Sequence, residues 1–312
     1  MTDGPHATPE NESYRSGFVA ILGKPNAGKS TLVNALLGEK LCAVSGLPQT
    51  TRDRINAIHS DDTMQAVFVD LPGLVADTDK LNAALRQNVL DGIEGVDCVI
   101  HLVDTTDPDP VGADMAALLA ATKTPVIGVA SKIDTQAADF DAAQYFATLE
   151  GGAPPARYTV LLGISAVRGA GLGELLAAVR ELLPEGPPLY DPDQLTDRSM
   201  RFLAAELIRE KVFQLLHEEI PYSTAVTIEA FEERSVGKAY IAASIHLERD
   251  SQKGIVIGRG GSMLKKISQS ARHDIEALLG NGVFLDLHVK VTPHWRKKEY
   301  LLREFGYDTR KR

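Results

Sequence analysis

Short runs of consecutive apolar residues alternate with amphipathic stretches through about the first 180 residues of the chain. Gly17 to Leu22, Gln65 to Val69, Val96 to Val103, Pro125 to Ala130 and Tyr158 to Ile164 read as strands, most of them with no polar alternate face. Between them Lys29 to Leu37, Lys80 to Ile93, Asp114 to Ala121, Asp139 to Leu149 and Leu172 to Leu183 read as helices. Strands that are apolar on both sides must be covered on both sides, which predicts a mainly parallel α/β sheet with crossover helices. The half-polar segment Arg54 to Ser60 fits an edge strand, expected to run antiparallel.

The pattern breaks at Pro184 to Gln194, where four prolines in PEGPPLYDPDQ stop any helix. Beyond it come an amphipathic helix from Asp197 to His217, β-rich stretches at Ser223 to Phe231 and Lys238 to Leu247, and the glycine cluster GIVIGRGG. A helix from Ser262 to Leu279 and an apolar strand from Val283 to Val291 follow. This is the pattern of a second, smaller α+β domain. The expected organisation is a mobile tail (1–15), an α/β nucleotide domain (16–183), a linker (184–195) and the α+β domain (196–312), with no internal repeat.

Charge sharpens that division. The 312 residues carry 33 Lys+Arg and 42 Asp+Glu, a net charge of −9, which excludes a generally basic nucleic-acid coat protein. Met1 to Leu195 holds 13 basic and 26 acidic residues, whereas from Lys253 onward 13 basic residues face 6 acidic ones. Segregation of this kind points to a nucleic-acid partner for one domain. No apolar run approaches the roughly 18 residues of a membrane span, and Met1 to Ser16 has no signal-peptide core, so a cytoplasmic location is expected. Cys42 and Cys98 make no zinc framework, and any metal is expected on oxygen ligands.

The run Gly23, Lys24, Pro25, Asn26, Ala27, Gly28, Lys29, Ser30, followed by Thr31, matches G-x-x-x-x-G-K-[S/T] between a strand and a helix. In that setting backbone N–H groups converge on phosphate oxygens, Lys29 reaches the outer phosphates and Ser30 offers a hydroxyl to magnesium. At the next strand tip stand Asp70, Leu71, Pro72 and Gly73, with Leu74 after them. Taken alone D-x-P-G is a common turn. About 40 residues after a phosphate loop it reads as an acid for magnesium and an N–H for a γ-phosphate. Thr50 and Thr51 supply a hydroxyl for the metal, with Thr51 preferred. Two later strand ends, Ser131-Lys132-Ile133-Asp134 and Ser165-Ala166, would read the base. The Asp134 carboxylate accepts from N1–H and the exocyclic amine of guanine, the Lys132 stem covers the ring, and N–H groups near Ala166 donate to the guanine oxygen.

In this order GKPNAGKS, the QTTR stretch Gln49 to Arg52, DLPG, SKID and SA resemble translation-factor-type GTPases. Val256 to Gly261 with the following MLKKI resembles the G-x-x-G loop of a KH RNA-binding module. Their pairing, with the C-terminal HVKVTPHWRKKEYLLREFGY, resembles bacterial ribosome-assembly GTPases that end in a KH domain, over nearly the whole chain from about Gly17. The resemblance implies GTP and GDP as ligands with Mg2+, slow or assisted hydrolysis, and binding of 16S ribosomal RNA near its 3′ end during maturation of the 30S ribosomal subunit. A monomer is expected, and peripheral contact at the inner face of the membrane is a family expectation that no anchor motif here supports.

In a KH module the G-x-x-G turn joins two short helices and lets a nucleic-acid backbone approach closely. Gly258, Arg259, Gly260 and Gly261 take that role here, with Ile255, Ile257 and Met263 as an apolar floor and Lys253, Arg259, Lys265 and Lys266 facing phosphates. Trp295 reads as a packing anchor, and His101 and Cys98 as core. Two departures stand out. Ser131 replaces the usual Asn of N-K-x-D, and a hydroxyl makes some of that amide's bonds. Leu74 stands where Ras-like GTPases position water with Gln. Asn26 stands where potassium-activated GTPases ligate K+, which makes that ion a candidate cofactor, against the alternative that Asn26 braces the turn. An ATP-dependent small-molecule kinase on the same phosphate loop is disfavoured by Asp134, and an RNA-binding scaffold with a structural nucleotide stays open until turnover is measured.

Overall fold

Strand β1 (Arg15–Leu22) lies inside a six-stranded sheet of order β2-β3-β1-β4-β5-β6, in the computed structural model of the chain. The structure describes residues 13–74, 79–149, 158–233 and 237–307; most of the expected N-terminal tail lies outside them, while Arg15 already belongs to β1. The other strands are β2 (Ile55–Ser60), β3 (Met64–Asp70), β4 (Cys98–Asp104), β5 (Val126–Ser131) and β6 (Tyr158–Gly163). Every neighbouring pair is parallel except β2 with β3, so the half-polar segment does form the antiparallel edge. Successive β1 side chains serve opposite layers. Val19 and Ile21 pack with α1 (Lys29–Leu37) and α5 (Leu172–Leu182), whereas Ala20 and Leu22 pack with α2 (Lys80–Gly92), α3 (Ala113–Ala121) and α4 (Ala142–Thr148). That double coverage is why these strands carry no polar face.

The second unit is a sheet of order β7-β8-β9, with β7 (Ala225–Glu232) antiparallel and β9 (Val283–Val291) parallel to β8 (Ala239–Leu247). Helices α6 (Met200–Leu215) and α8 (Ser262–Leu279) cover one face, α8 burying Ile267, Ala271 and Ile275 at four-residue spacing. The parallel β8–β9 crossover runs through α7 (Asp250–Ile257), the glycine turn and α8. Several helices start later than apolar periodicity suggests, because a polar side chain caps them. Ser199 accepts from the Phe202 N–H at 3.3 Å, so α6 begins at Met200 rather than Asp197, and Asp141 accepts from Gln144 N–H at 3.0 Å, so α4 begins at Ala142 rather than Asp139. Ser223 belongs to a 3-10 turn, Pro221–Ser223, not to β7. Trp295 is fully buried and donates to the Ser223 carbonyl at 2.8 Å. A short helix, α9 (Glu299–Glu304), absent from the sequence reading, packs Leu301 and Leu302 beside it.

The proline-rich stretch is not a free tether. The backbone N–H of Ser16 donates to Pro184 O at 3.0 Å, and that of Gly186 to Tyr14 O at 3.0 Å. Buried Gln65 accepts from the N–H groups of Leu189 and Tyr190 at 2.6 and 2.8 Å and donates to Tyr190 O at 3.0 Å. The β2 edge is closed by Ile58 N–H donating to Leu195 O at 2.9 Å. An exposed edge would be a template for pairing with another chain, and these contacts cover part of it.

The loop after α1 is held by the second unit at both ends. Lys40 pairs with Glu210 and Asp274 at 3.0 and 2.7 Å, and the Val44 N–H donates to Glu210 Oε1 at 3.2 Å. At the far end Arg52 is fully buried and donates to the carbonyls of Thr224, Pro221 and Tyr222 at 2.7, 3.1 and 3.1 Å, its guanidinium 5.5 Å from the Phe213 ring centre. Leu81 and Leu85 of α2 complete the contact against Trp295, Leu302 and Tyr307.

Candidate functional site

The phosphate loop joins β1 to α1 with Asn26 and Gly28 at positive φ, 65° and 96°. Lys29 is buried and folds back so that Nζ donates to the carbonyls of Gly23 and Lys24 at 2.9 and 3.1 Å. Burial brings its pKa down to about 8, opposed by the nearby Asp70 carboxylate. A polyphosphate in the loop supplies the anionic partner that keeps this ammonium charged. Lys24 behaves differently. Its ammonium pairs with Asp107 at 3.0 Å, so it lends the loop its backbone and not its charge.

Ser30, Thr51 and Asp70 come together although they lie on α1, the following loop and the tip of β3. Ser30 Oγ donates to Asp70 Oδ2 at 2.7 Å and lies 2.8 Å from Thr51 Oγ1, which is itself 3.4 Å from the same carboxylate oxygen. Asp70 is fully buried, and its Oδ1 has no hydrogen-bond partner among the described residues. Burial raises its pKa, with the Ser30 hydroxyl opposing. Two hydroxyls and a carboxylate with an unused oxygen are the hard donor set that magnesium takes beside phosphate oxygens. No cluster of three His, Cys, Asp or Glu among the described residues offers a rival metal site. Thr50 turns the other way and donates to Leu47 O at 2.9 Å, which leaves Thr51 as the threonine that meets Ser30 and Asp70.

Asp70 leads into Leu71, whose side chain is fully buried in the core, so Leu71 contributes only backbone here; Pro72 is buried too. Gly73 lies against the phosphate loop, where an added Cβ would stand 2.9 Å from both N and Cγ of Pro25. Glycine is therefore required for this close approach to the phosphate loop. Leu74 packs on the core and offers no polar group. Asn26 donates from Nδ2 to Gly46 O at 3.2 Å, which ties the phosphate loop to the loop that carries Thr51.

A cleft lined by Lys29, Ser30, Thr31 and Thr51 continues past Gly28 into a cavity lined by Ala27, Ser131, Lys132, Asp134 and Ala166. Asp134 Oδ1 accepts from Ser165 Oγ at 2.6 Å, which turns the carboxylate toward that cavity wall. Lys132, at φ 60°, pairs its ammonium with Asp104 at 2.5 Å, stretching its stem along the site. Ser131 donates to the Ala27 carbonyl at 2.8 Å, so the hydroxyl does brace the phosphate loop. Thr105, which belongs to none of the motifs, donates to the Ser131 carbonyl at 2.9 Å.

In the second unit Gly258, Gly260 and Gly261 all have positive φ between α7 and α8. At Gly258 an added Cβ would lie 2.7 Å from the Met263 nitrogen, so no other residue fits the turn. Arg259, Lys265 and Lys266 are exposed beside it, and Lys253 is half-buried. One expectation changes here. Ile255 and Ile257 sit on the helix before the turn, so they point about 200° apart. Ile257 and Met263 are half-buried while Ile255 is 56% exposed, and a single floor made of all three is not built.

Residues 18–132 match the family described as 50S ribosome-binding GTPase, and residues 219–296 match the KH domain family. GTPase Era of Geotalea daltonii is 44% identical over 299 residues, covering 95% of this chain and 99% of that protein. GTPase Era of Thermotoga maritima is 44% identical over 296 residues, covering 94% and 98%. Among solved structures, a point variant of Aquifex aeolicus Era bound to GDP and AlF4− superposes with a TM-score of 0.85 at 35% identity, over 94% of this chain and 99% of that one. Era in complex with MgGDPNP and nucleotides 1506–1542 of 16S ribosomal RNA superposes equally well, with a TM-score of 0.85 at 34% identity and the same coverage. With both units matched in order and along nearly their full length, the chain belongs to the Era family of GTPases.

Proposed function

We propose that the chain is a GTP-hydrolysing switch that binds 16S ribosomal RNA near its 3′ end and assists assembly of the 30S subunit. The observation that carries the nucleotide half is the meeting of Ser30, Thr51 and Asp70 around an unused buried carboxylate oxygen, beside the buried ammonium of Lys29. The nucleotide domain spans 16–183, the linker 184–195 and the RNA-binding domain 196–312. Lys29 and the backbone N–H groups from Gly23 to Ser30 hold the phosphates, Gly73 N–H faces the γ-phosphate, and Asp134 with the Ala166 N–H reads guanine. Ser30, Thr51 and Asp70 would hold Mg2+, which would supply positive charge to the phosphates. The rest of the catalysis is positioning and charge stabilisation by this chain's own groups. A cytoplasmic monomer is part of the proposal; separately, no helix among the described residues is long and apolar enough to cross a membrane. The test is GTP turnover by the full chain with and without an RNA of the 16S 3′ end. Turnover in the presence of that RNA no faster than the uncatalysed rate would leave a scaffold with a structural nucleotide.

For the RNA half, changing Arg259→Asp and Gly260→Asp together places two carboxylates where phosphates run. RNA affinity is expected to fall by at least about tenfold with GTP affinity unchanged. Filter binding that shows equal RNA affinity would remove the Gly258–Gly261 turn from the interface.

Leu74 itself offers no polar side chain to orient water. Asn26, which already reaches the Gly46 carbonyl, stands where an amide oxygen and loop carbonyls would ligate potassium. Hydrolysis at constant ionic strength is therefore expected to run faster in potassium than in sodium, and Asn26→Ala to abolish the difference while keeping nucleotide binding. Equal wild-type rates in the two salts, with and without RNA, would reduce Asn26 to a brace of the loop.

A further inference from the structure

Guanine placed with its N1 and amino group on Asp134, and its oxygen toward the Ala166 N–H, turns the next ring atom, N7, to the side of the cavity formed by Ala27 and Ser131. N7 is an acceptor and needs a donor. Ser131 owns a single O–H, and that proton is given to the Ala27 carbonyl at 2.8 Å, in a residue only 5% exposed. What Ser131 leaves toward the base is an oxygen lone pair, so acceptor would face acceptor. Two side-chain donors of the neighbouring loops are engaged. Lys132 Nζ is on Asp104 at 2.5 Å, and Thr105 Oγ1 donates to the Ser131 carbonyl at 2.9 Å. An asparagine at 131 would carry two amide protons, one for the Ala27 carbonyl and one to spare for N7.

We propose that Ser131 is a specificity-determining residue that removes recognition of the purine's imidazole edge, so that this GTPase reads guanine through its Watson–Crick edge and oxygen alone; this rests on the Asp134 reading. A base in which C–H replaces N7 loses nothing at this wall. Such a base is normally rejected by a site that donates there, because the donor is left unpaired.

The test is titration of the full chain, in magnesium, with GDP, 7-deaza-GDP and inosine diphosphate, for the wild type and for Ser131→Asn. The wild type is expected to bind 7-deaza-GDP within about twofold of GDP, whereas Ser131→Asn binds 7-deaza-GDP about fivefold more weakly than GDP, the worth of one neutral hydrogen bond. A wild-type loss of fivefold on 7-deaza-GDP, with inosine diphosphate still rejected, would overturn the proposal and leave the Asp134 reading intact. Equal affinities of Ser131→Asn for the two guanine nucleotides would overturn residue 131 as the determinant. Inosine diphosphate lacks the amine that Asp134 accepts from; if it bound as tightly as GDP, the Asp134 reading would fall, and the base orientation with it.

Discussion

Asp134→Asn is expected to cost about a hundredfold in GTP affinity and to make xanthosine triphosphate the better ligand. The carboxylate is acceptor-only, and with Ser165 Oγ donating to it at 2.6 Å its remaining lone pairs point into the cavity toward two donors of guanine. An amide presents an N–H to the exocyclic amine, donor against donor. Xanthine carries an oxygen at that position and restores the match. Competition between the two triphosphates checks this, and a retained preference for GTP would remove Asp134 from the base site.

Arg52→Ala is expected to lower stability by about 3 kcal/mol and to raise the magnesium concentration needed for hydrolysis by about tenfold. The two effects have one cause. The guanidinium satisfies three carbonyls of the second unit, at Thr224, Pro221 and Tyr222, and its loss leaves all three without that donor. Its own backbone follows directly from Thr51, so freeing Arg52 loosens the hydroxyl that meets Ser30 and Asp70. Arg52→Lys keeps the charge without the planar fork and should recover only part of either property. Thermal melts and magnesium titrations of turnover measure the pair, and a variant that melts early but keeps its magnesium dependence would separate Arg52 from the metal site.

Much of the nucleotide site could be read from the sequence because its parts are contiguous: the phosphate loop, DLPG and SKID each fix their own local geometry at a strand end. The strands were legible for a related reason, since β3 and β4 are buried on both faces and carry no polar residue pattern to blur them. Arg52 was not legible. Its partners lie about 170 residues away, and nothing in QTTR says that the arginine turns from the phosphates onto the 3-10 turn of the second unit. Lys24 misleads in the opposite sense, because Asp107, which takes its charge, sits in a different loop. The starts of α6 and α4 lie three residues later than periodicity suggests, where a capping Ser199 or Asp141 overrides it. In α9 only six residues, EYLLRE, are helical, too few to show a period, and it is Trp295 and Tyr307 beside Leu302 that make the turn worthwhile.

The contacts of β1 with the proline-rich stretch impose an order on the birth of the protein. Arg15 donates to the Leu183 carbonyl at 2.8 Å and Ser16 Oγ to Pro187 O at 2.7 Å, across 168 and 171 residues of chain. A chain made from its N-terminus cannot close these bonds until translation has passed Pro187. Until then the opening residues of the first strand can pair on one side only, Arg15 and Ser16 with Met64 and Gln65 of β3, and the other side must wait for its last seam. Pairings so distant in sequence close slowly, and a nascent chain that holds such a strand open is the species most exposed to wrong partners.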